Sequence, residues 1–411
     1  MRTVVANGTV LDTTTMTYLG ERAVVIEDGT IVEVAERFDG EADVVVDAAG
    51  RFVLPGLIDA HVHFRLVTLD FARIATMSEV EFGIRMAALS RQTVERGFTT
   101  VRDLGGDLTG LMRAIRQGLT PAPRIVRAGR MISQTGGHGD TEGGPREVPS
   151  CACSMRSTVF GIVADGADAV LKAARHNLRE GSDFLKIHVS GGVATPSDPL
   201  ESLQFTPAEI VAAVTEAEHR GTYVAAHAYT PEAIAQAVRG GVHSIEHGNL
   251  IDAPTAALVA EHGAVLVPTL VTYSTMDELG ERLGLPATNR AKNKRVLDAG
   301  LASLELARDA GVTMGFGTDL IGEAQTKQGD EFRIRHEVLT AAEILRSMWV
   351  VNPSLCRAEG RIGVLTPGAA GDVIVSTVDP LADLNAFADT TTSLTHVLQA
   401  GHLVVDRTLG V

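Results

Sequence analysis

Short apolar runs alternate with amphipathic stretches between about residues 54 and 363. The apolar runs predict strands at residues 53–57, 99–103, 124–128, 184–189, 224–228, 244–246, 265–268 and 314–316. The amphipathic stretches predict helices at residues 79–96, 163–180, 207–220, 231–238, 291–310 and 331–348. Strands that alternate with helices in this way are typical of parallel βα units, and eight such units predict a TIM (β/α)8 barrel.

The two ends of the chain follow a second pattern, in which runs rich in Val and Ile alternate with turn residues. Such runs predict antiparallel strands joined by hairpins. We therefore predict an α/β protein with two domains. Residues 1–53 and 364–411 form one small β-sandwich built from both termini, and residues 54–363 form the barrel.

Composition narrows the classes of partner. The chain has 411 residues, of which 45% are hydrophobic, and this is enough for a large core. Its formal net charge of -15 argues against nucleic acid and anionic membranes as partners. No apolar run reaches the roughly 20 residues of a membrane span, and the N-terminus lacks the pattern of a signal peptide. We expect a cytoplasmic protein with no membrane or nucleic-acid partner.

The cysteines predict neither a disulfide framework nor a metal site. Cys151, Cys153 and Cys356 are too few and odd in number for a set of disulfides. The Cys-Ala-Cys sequence at residues 151–153 lacks a second pair of soft ligands, so we interpret it as an unmodified loop segment.

Six residues with metal-binding side chains end or follow predicted strands: His61, His63, Lys186, His227, His247 and Asp319. The C-terminal ends of barrel strands meet at one face, so residues that are far apart in the sequence can converge there. Two histidines that are two positions apart on a strand place both imidazoles on one side. A lone His-x-His is weak evidence, but the ordered combination predicts a metal cluster.

Lys186 lies inside an apolar run, where a charged amine is costly unless it loses its charge or gains a partner. Reaction with CO2 is one solution, because an N-carboxylated lysine is an anion whose two oxygens can bridge two divalent cations. Such a pair of cations would lower the pKa of a bridging water and provide hydroxide at neutral pH. Asp59 and His188, each two positions from a candidate ligand, are interpreted as supporting residues.

At these positions the chain resembles the amidohydrolase superfamily in its binuclear, carboxylated-lysine form. The resemblance extends from the Pro-Gly-Leu-Ile-Asp-Ala-His-Val-His stretch at residues 55–63 to the Pro-Gly-Ala-Ala-Gly-Asp stretch at residues 367–372. The Ser-Gly-Gly-Val, His-Ala-Tyr and Gly-Thr-Asp-Leu segments at residues 190–193, 227–229 and 317–320 are similar to one branch. That branch contains Xaa-Pro dipeptidases, Arg/Lys carboxypeptidases and the ochratoxin-hydrolysing amidase, and its members cleave a C-terminal amide bond.

The resemblance implies a role for each candidate ligand. His61, His63 and Asp319 would hold the more buried of two divalent metal ions, and His227 and His247 the more exposed one; zinc is the expected metal. The carboxylated lysine would bridge the two ions, and a metal-bridging hydroxide would attack the amide. Asp319 would also take a proton from the bridging water and return it to the leaving amine. A dipeptide or N-acyl amino acid as small-molecule substrate and a homo-oligomeric state are likewise implied.

His138 and Tyr229 are the candidates for substrate contact. His138 lies in the glycine-rich segment at residues 133–150, which we interpret as an active-site cover; the alternative is a disordered insertion. Tyr229 follows His227 by two positions, which places its hydroxyl on the same side as that ligand. The resemblance implies that one contacts the scissile group and the other the α-carboxylate. A histidine facing water and a tyrosine packed at a strand end remain the alternatives.

Two other functions are compatible with these residues. One is hydrolysis of xenobiotic or cyclic amides, ureas or carbamates, including ochratoxin-type amides, at the same binuclear site. The other is a non-catalytic metal-binding scaffold, which would not need both Lys186 and Asp319. Beside the leaving group, Leu320 and Ile321 favour proline or a hydrophobic residue, whereas nearby Glu323 would favour arginine or lysine.

Overall fold

The computed structural model describes residues 1–70, 73–74, 77–140, 160–195, 198–282 and 284–408 of the chain. Cys151, Cys153 and residues 141–150 of the glycine-rich segment lie outside the described residues. The interpretations of that segment as a cover and of the two cysteines as a loop therefore stay predictions. Cys356 is buried and not part of a disulfide.

The two terminal segments form one eight-stranded sheet. With strands numbered along the chain, its members are β1 (Arg2–Asp12), β2 (Thr17–Glu27), β3 (Thr30–Ala35), β4 (Val44–Asp47), β5 (Phe52–Pro55), β16 (Val373–Ser376), β17 (Leu394–Gln399) and β18 (His402–Asp406). The order is β18-β17-β16-β5-β1-β2-β3, and β4 also pairs with β1. The pairing of β5 with β16 joins the two ends of the chain in the small β-sandwich.

Two features of this sheet differ from the prediction. First, β4 and β5 run parallel to β1, whereas strands joined only by hairpins would be antiparallel. Second, the strand predicted at residues 53–57 is two strands, because Val53 belongs to β5 and the barrel begins at Leu57. A Cβ atom on Gly56 would lie 2.0 Å from Thr99 Oγ1, so the chain passes from sheet to barrel where only glycine fits.

The middle of the chain forms the predicted TIM barrel, with ten strands among the described residues. Two of them, Met131–Ser133 and Gly161–Val163, were not predicted from the sequence. Its strands are β6 (Leu57–Val62), β7 (Phe98–Asp103), β8 (Arg124–Arg127), β9 (Met131–Ser133), β10 (Gly161–Val163), β11 (Leu185–His188), β12 (Val224–Ala228), β13 (Ser244–His247), β14 (Val265–Val267) and β15 (Thr313–Met314). Neighbouring strands are parallel, in the orders β6-β7-β8 and β10-β9-β11-β12-β13-β14-β15. The two sheets meet where the backbone N–H of Ala60 donates to the carbonyl of Phe316 at 2.8 Å.

Helices separate most of these strands. They are α1 (Glu79–Glu95), α2 (Thr109–Arg116), α3 (Ala167–Arg179), α4 (Pro207–His219), α5 (Pro231–Arg239), α6 (Ala253–Glu261), α7 (Leu270–Leu279), α8 (Ala287–Asp309), α9 (Asp330–His336), α10 (Ala341–Arg346), α11 (Asn352–Leu355), α12 (Leu384–Phe387) and α13 (Thr390–Ser393). A 3-10 helix (Gly322–Lys327) and a π-helix (Ser347–Val351) are also present. No helix in the described part of the chain is long and apolar enough to cross a membrane.

The prediction of a single helix at residues 331–348 is wrong. The chain forms α9, then a turn, then α10, and the π-helix follows. Thr340 caps α10, because its hydroxyl accepts from the N–H of Glu343 while the Glu343 carboxylate accepts from the N–H of Thr340. This reciprocal cap starts a new helix where apolar periodicity alone predicts continuation.

Candidate active site

The ends of the barrel strands bring the side chains of five of the six candidate metal ligands close together. Asp319 Oδ1 lies 3.3 Å from His61 Nε2 and 3.1 Å from His63 Nε2. The ring centroids of His61 and His247 are 5.0 Å apart, and those of His247 and His227 are 4.7 Å apart. Ligand atoms of His61, His247 and Asp319 lie within 4.8 Å of one another, so one cation could contact all three.

The sixth candidate, Lys186, ends up inside the barrel with its side chain fully buried. Its Nζ has no hydrogen-bond partner among the described residues. Burial lowers the pKa of Lys186 to about 8, against the attraction of Glu246 and Asp319. A neutral amine is the form that reacts with CO2, and N-carboxylation would convert the buried, unpartnered amine into an anion whose oxygens could hold cations.

The backbone is strained at two of the ligand positions. His247 has a φ of 76° and Asp319 a φ of 52°, both in the left-handed region that side chains other than glycine rarely adopt. Each such residue costs roughly 1–3 kcal/mol, and strain of this kind clusters at functional sites. Asp319 is fixed in this conformation by its N–H, which donates to the carbonyl of His61 at 2.8 Å.

The ionisation of the cluster suits divalent cations. Burial lowers the pKa of His227 and His247 well below the usual value, so both imidazoles are neutral donors at neutral pH. Burial would raise the pKa of Asp319, but the charges and hydrogen bonds of His61 and His63 outweigh it and lower this pKa. Neutral imidazoles such as those of His227 and His247, together with an ionised carboxylate such as that of Asp319, are typical ligands for zinc.

Two buried charged residues behind His61 were missed from the sequence. Glu246 accepts at one oxygen from His61 Nδ1 (2.8 Å) and at the other from Arg102 (2.6 Å) and Ser244 (2.6 Å). The carboxylate fixes the His61 ring with Nδ1 protonated, which leaves Nε2 facing Asp319 and available to a metal. The signal was present in the sequence, because a Glu and an Arg inside apolar strands each need a partner.

The buried carboxylate of Asp59 holds the backbone beside two of the candidate ligands. Its Oδ1 accepts from the backbone N–H groups of His61 (3.0 Å) and Thr318 (3.1 Å). Its Oδ2 accepts from the Thr318 hydroxyl (2.6 Å) and Gln328 (3.0 Å). The carboxylate therefore ties the first barrel strand to the segment that ends in Asp319.

His138 and His188 lie beside the candidate ligand His227. The His138 ring stacks on His227 with centroids 4.4 Å apart and an interplanar angle of 17°. His188 contacts both of these rings edge-on, at 5.2 Å from His138 and 5.4 Å from His227. His138 is thus next to the cluster and not a loop histidine in water.

Tyr229 is buried, and its ring lies 4.8 Å from His227 and 5.2 Å from His247. Its hydroxyl is 2.8 Å from the hydroxyl of Tyr273, which was missed from the sequence. Tyr273 in turn lies 3.0 Å from His247 Nδ1, and the Thr269 hydroxyl lies 2.8 Å from the same nitrogen. These contacts connect the candidate substrate residue Tyr229 to the support of His247.

An apolar wall adjoins Tyr229. Buried hydrophobic residues pack around it in one cluster, which includes Val193, Tyr273, Met276, Leu320 and Ile321. Glu323 is exposed, and its carboxylate accepts from the Thr68 hydroxyl at 3.3 Å. Leu320 and Ile321 therefore belong to the wall, whereas Glu323 is turned to solvent at its edge.

A TIM barrel with a small β-sandwich, and with histidines, a lysine and an aspartate converging at its strand ends, defines a class of barrel hydrolases with metal centres. Residues 52–404 match the Amidohydrolase family, and the chain belongs to this family.

Several relatives have names that describe an activity. A prolidase solved in complex with N-methylphosphonate-L-proline is 42% identical, with a TM-score of 0.94 over 99% of this chain and 100% of its own. A Xaa-Pro dipeptidase with bound methionine is 28% identical, with a TM-score of 0.87 over 98% of this chain and 99% of its own. Ochratoxinase of Aspergillus niger is 30% identical over 363 residues, 85% of this chain and 75% of the ochratoxinase. The chain is accordingly a hydrolase of amide or peptide bonds.

Proposed function

We propose that the protein hydrolyses the C-terminal amide bond of dipeptides or N-acyl amino acids at a binuclear metal centre. The observation that supports this most is the convergence of His61, His247 and Asp319 at the barrel's strand ends. Beside it stands the buried Lys186, whose Nζ has no hydrogen-bond partner among the described residues. Similarity to a prolidase that binds a proline phosphonate supports the choice of substrate class.

The proposed centre would be held by all six candidate ligands, with Lys186 N-carboxylated. When bound, two divalent cations, for which zinc is the expected metal, supply a water that is nucleophilic at neutral pH and polarise the scissile carbonyl. Asp319 would accept a proton from the attacking water at its carboxylate and deliver it to the nitrogen of the leaving amine. The products are a carboxylic acid and a free amino acid, so the protons balance.

His138 and Tyr229 would bind the substrate beside the metal ligand His227. Both rings contact that of His227, at 4.4 Å and 4.8 Å between centroids, and each ends in a group that hydrogen-bonds oxygen. We assign the scissile carbonyl to one and the α-carboxylate to the other, without ordering the two. The apolar wall formed with Leu320 and Ile321 favours proline or a hydrophobic residue as leaving group.

A second candidate is hydrolysis of an ochratoxin-type or other xenobiotic amide at the same site. The observation that favours it is the 30% identity to ochratoxinase over 363 residues. The two candidate functions use the same chemistry and differ in the substrate that the site binds.

A substrate panel tests the proposal. N-acyl amino acids and Xaa-Pro, Xaa-Phe and Xaa-Arg dipeptides are each assayed beside the same compound with an amidated C-terminus, using zinc-loaded enzyme. We expect turnover of the free acids with proline or phenylalanine, weak turnover of Xaa-Arg, and little turnover of any amidated partner. Ochratoxin and other xenobiotic amides are assayed beside the panel, and turnover of these alone would favour the second candidate. Equal turnover of free and amidated compounds would contradict carboxylate recognition. A homo-oligomeric state stays a prediction.

A further inference from the structure

A lysine of α8 fastens the loop that follows β11. Lys292 Nζ donates to the carbonyl oxygens of Gly192 (3.1 Å), Thr195 (2.8 Å) and Asp198. An ammonium group has three protons, so all three donors are used on backbone carbonyls of one loop. Lys292 therefore ties the described backbone at Gly192, Thr195 and Asp198 to α8.

The same loop presents a buried carboxylate to His138. Asp198 Oδ2 accepts from the N–H of Gly192 at 2.9 Å and lies 3.2 Å from His138 Nδ1. Asp198 Oδ1 has no hydrogen-bond partner among the described residues, but Lys292 Nζ lies 3.7 Å from it and balances the buried charge. The N–H of Gly192 and the ammonium of Lys292 thus hold the carboxylate that contacts His138.

The directions of the hydrogen bonds define the tautomer of His138. An ionised Asp198 can only accept, so its contact with Nδ1 calls for a proton on that nitrogen. The Thr195 hydroxyl lies 2.8 Å from Nδ1 and can accept there as well while it donates to the His138 carbonyl at 3.1 Å. With the proton on Nδ1, Nε2 is the ring nitrogen left for the site.

Two further contacts show how closely the loop fits the ring. A Cβ atom on Gly192 would lie 2.0 Å from His138 Cε1, so only glycine allows the loop backbone to approach this ring. Asn289, on the same face of α8 as Lys292, donates to the carbonyl of Val193 at 2.6 Å. The face of α8 that holds the loop therefore also determines where His138 sits.

We propose that Asp198, fixed by Lys292, is a positioning residue that holds His138 as the Nδ1-protonated tautomer and directs His138 Nε2 at the substrate. The proposal rests on the proposed function only for what Nε2 contacts, because the tautomer and the orientation are properties of the protein alone.

The first test reads the tautomer directly. Zinc-loaded protein labelled with 15N-histidine is measured by long-range 1H–15N NMR, and the His138 signals are assigned by their absence in His138→Ala. We expect a protonated Nδ1 and an unprotonated Nε2 in the native protein. Asp198→Ala should give a mixture of tautomers, because Thr195 can then donate to Nδ1. Asp198→Asn should retain most of the native pattern, because the N–H of Gly192 keeps the amide oxygen in place.

Matched controls separate this role from general damage. Lys292→Met should disturb the His138 signals, whereas Lys294→Met should not, because Lys294 lies on the exposed face of α8 in an ion pair with Asp298. Asp298→Asn is the corresponding control for the Asp198 variants. If His138 is protonated on Nε2 in the native protein, or if Asp198→Ala and Lys292→Met both leave the native tautomer unchanged, the proposal is overturned.

The second test is kinetic. Asp198→Ala should lower kcat/KM on the best substrate of the panel by roughly 10- to 100-fold, the usual effect of removing a partner behind an active-site group. In the His138→Ala background the same substitution should have an effect of about twofold or less, because Asp198 acts through the ring that is already gone. Equal effects in both backgrounds would show that Asp198 acts elsewhere. If the native enzyme turns over no compound of the panel, the proposed function fails, and the NMR result still decides this inference.

Discussion

The two sides of the site are built differently. On the strand side, which we define as His61, Asp319, Glu246 and Arg102, the hydrogen bonds run between barrel strands or the segments that adjoin them. On the loop side, defined as His138, Asp198, Lys292, Tyr229 and Tyr273, the contacts join loops to the outer helices α7 and α8.

This difference suggests a division of tasks. Strands of a closed barrel are fixed by their neighbours, which suits ligands that must hold cations at set distances. Loops and outer helices can change while the barrel stays intact, which suits residues that recognise a substrate. Substitutions on the strand side should therefore weaken metal binding and activity, whereas those of His138, Asp198 or Tyr229 on the loop side should change turnover with the metal retained.

The largest effect is expected for Lys186→Ala. The substitution removes the proposed bridge between the cations, so activity and most of the bound metal should be lost. A short carboxylic acid should restore part of the activity, because its carboxylate can take the place of the carboxylated amine. Metal content and turnover are measured for Lys186→Ala and for the control variant Lys294→Ala, which should behave like the native protein. Full activity of Lys186→Ala would refute the two-metal site.

Asp319→Asn should lower kcat by roughly two to four powers of ten, the usual contribution of general acid–base catalysis. Asparagine can offer an oxygen to a metal but cannot accept and return the proton. Thermal unfolding should change little, and metal analysis shows whether the ligand role is retained. A near-normal kcat with native metal content would mean that another group moves the proton.

Glu246→Gln should weaken metal binding by roughly 10- to 100-fold, because the His61 ring loses the carboxylate that fixes it. The Arg102 guanidinium, fully buried, would also lose its counter-charge, at a cost of roughly 3–5 kcal/mol of folding stability. Metal titration and thermal unfolding are compared with Glu305→Gln on α8, an exposed position. Unchanged metal affinity would show that Glu246 does not support metal binding through His61.

The smallest effects on metal are expected from the loop side. Tyr229→Phe and His138→Ala should lower turnover with metal content nearly unchanged. The loss should be smaller on amidated substrates for the residue that binds the α-carboxylate, and this difference identifies which residue that is. Metal loss in either variant would place that residue among the supports of the metal ligands.

The same division explains what the sequence could predict. Strand-end ligands such as His61 and Asp319 follow short apolar runs, so local pattern and barrel geometry together predict their convergence. The contact of Asp198 with His138 and Lys292 joins positions about 60 and 94 residues apart through loops whose path depends on tertiary packing. The break at Gly56 was missed because the apolar run continues across it, although the glycine itself marks the junction.

Metal titration tests the central claim most directly. Metal-free protein is titrated with Zn2+ in bicarbonate buffer, and hydrolysis of an Xaa-Pro dipeptide is followed at each addition. We expect no activity without metal and a maximum at two equivalents per chain, with a lower maximum when CO2 is excluded. Full activity of the metal-free protein, or a maximum at one equivalent, would contradict a binuclear centre bridged by Lys186.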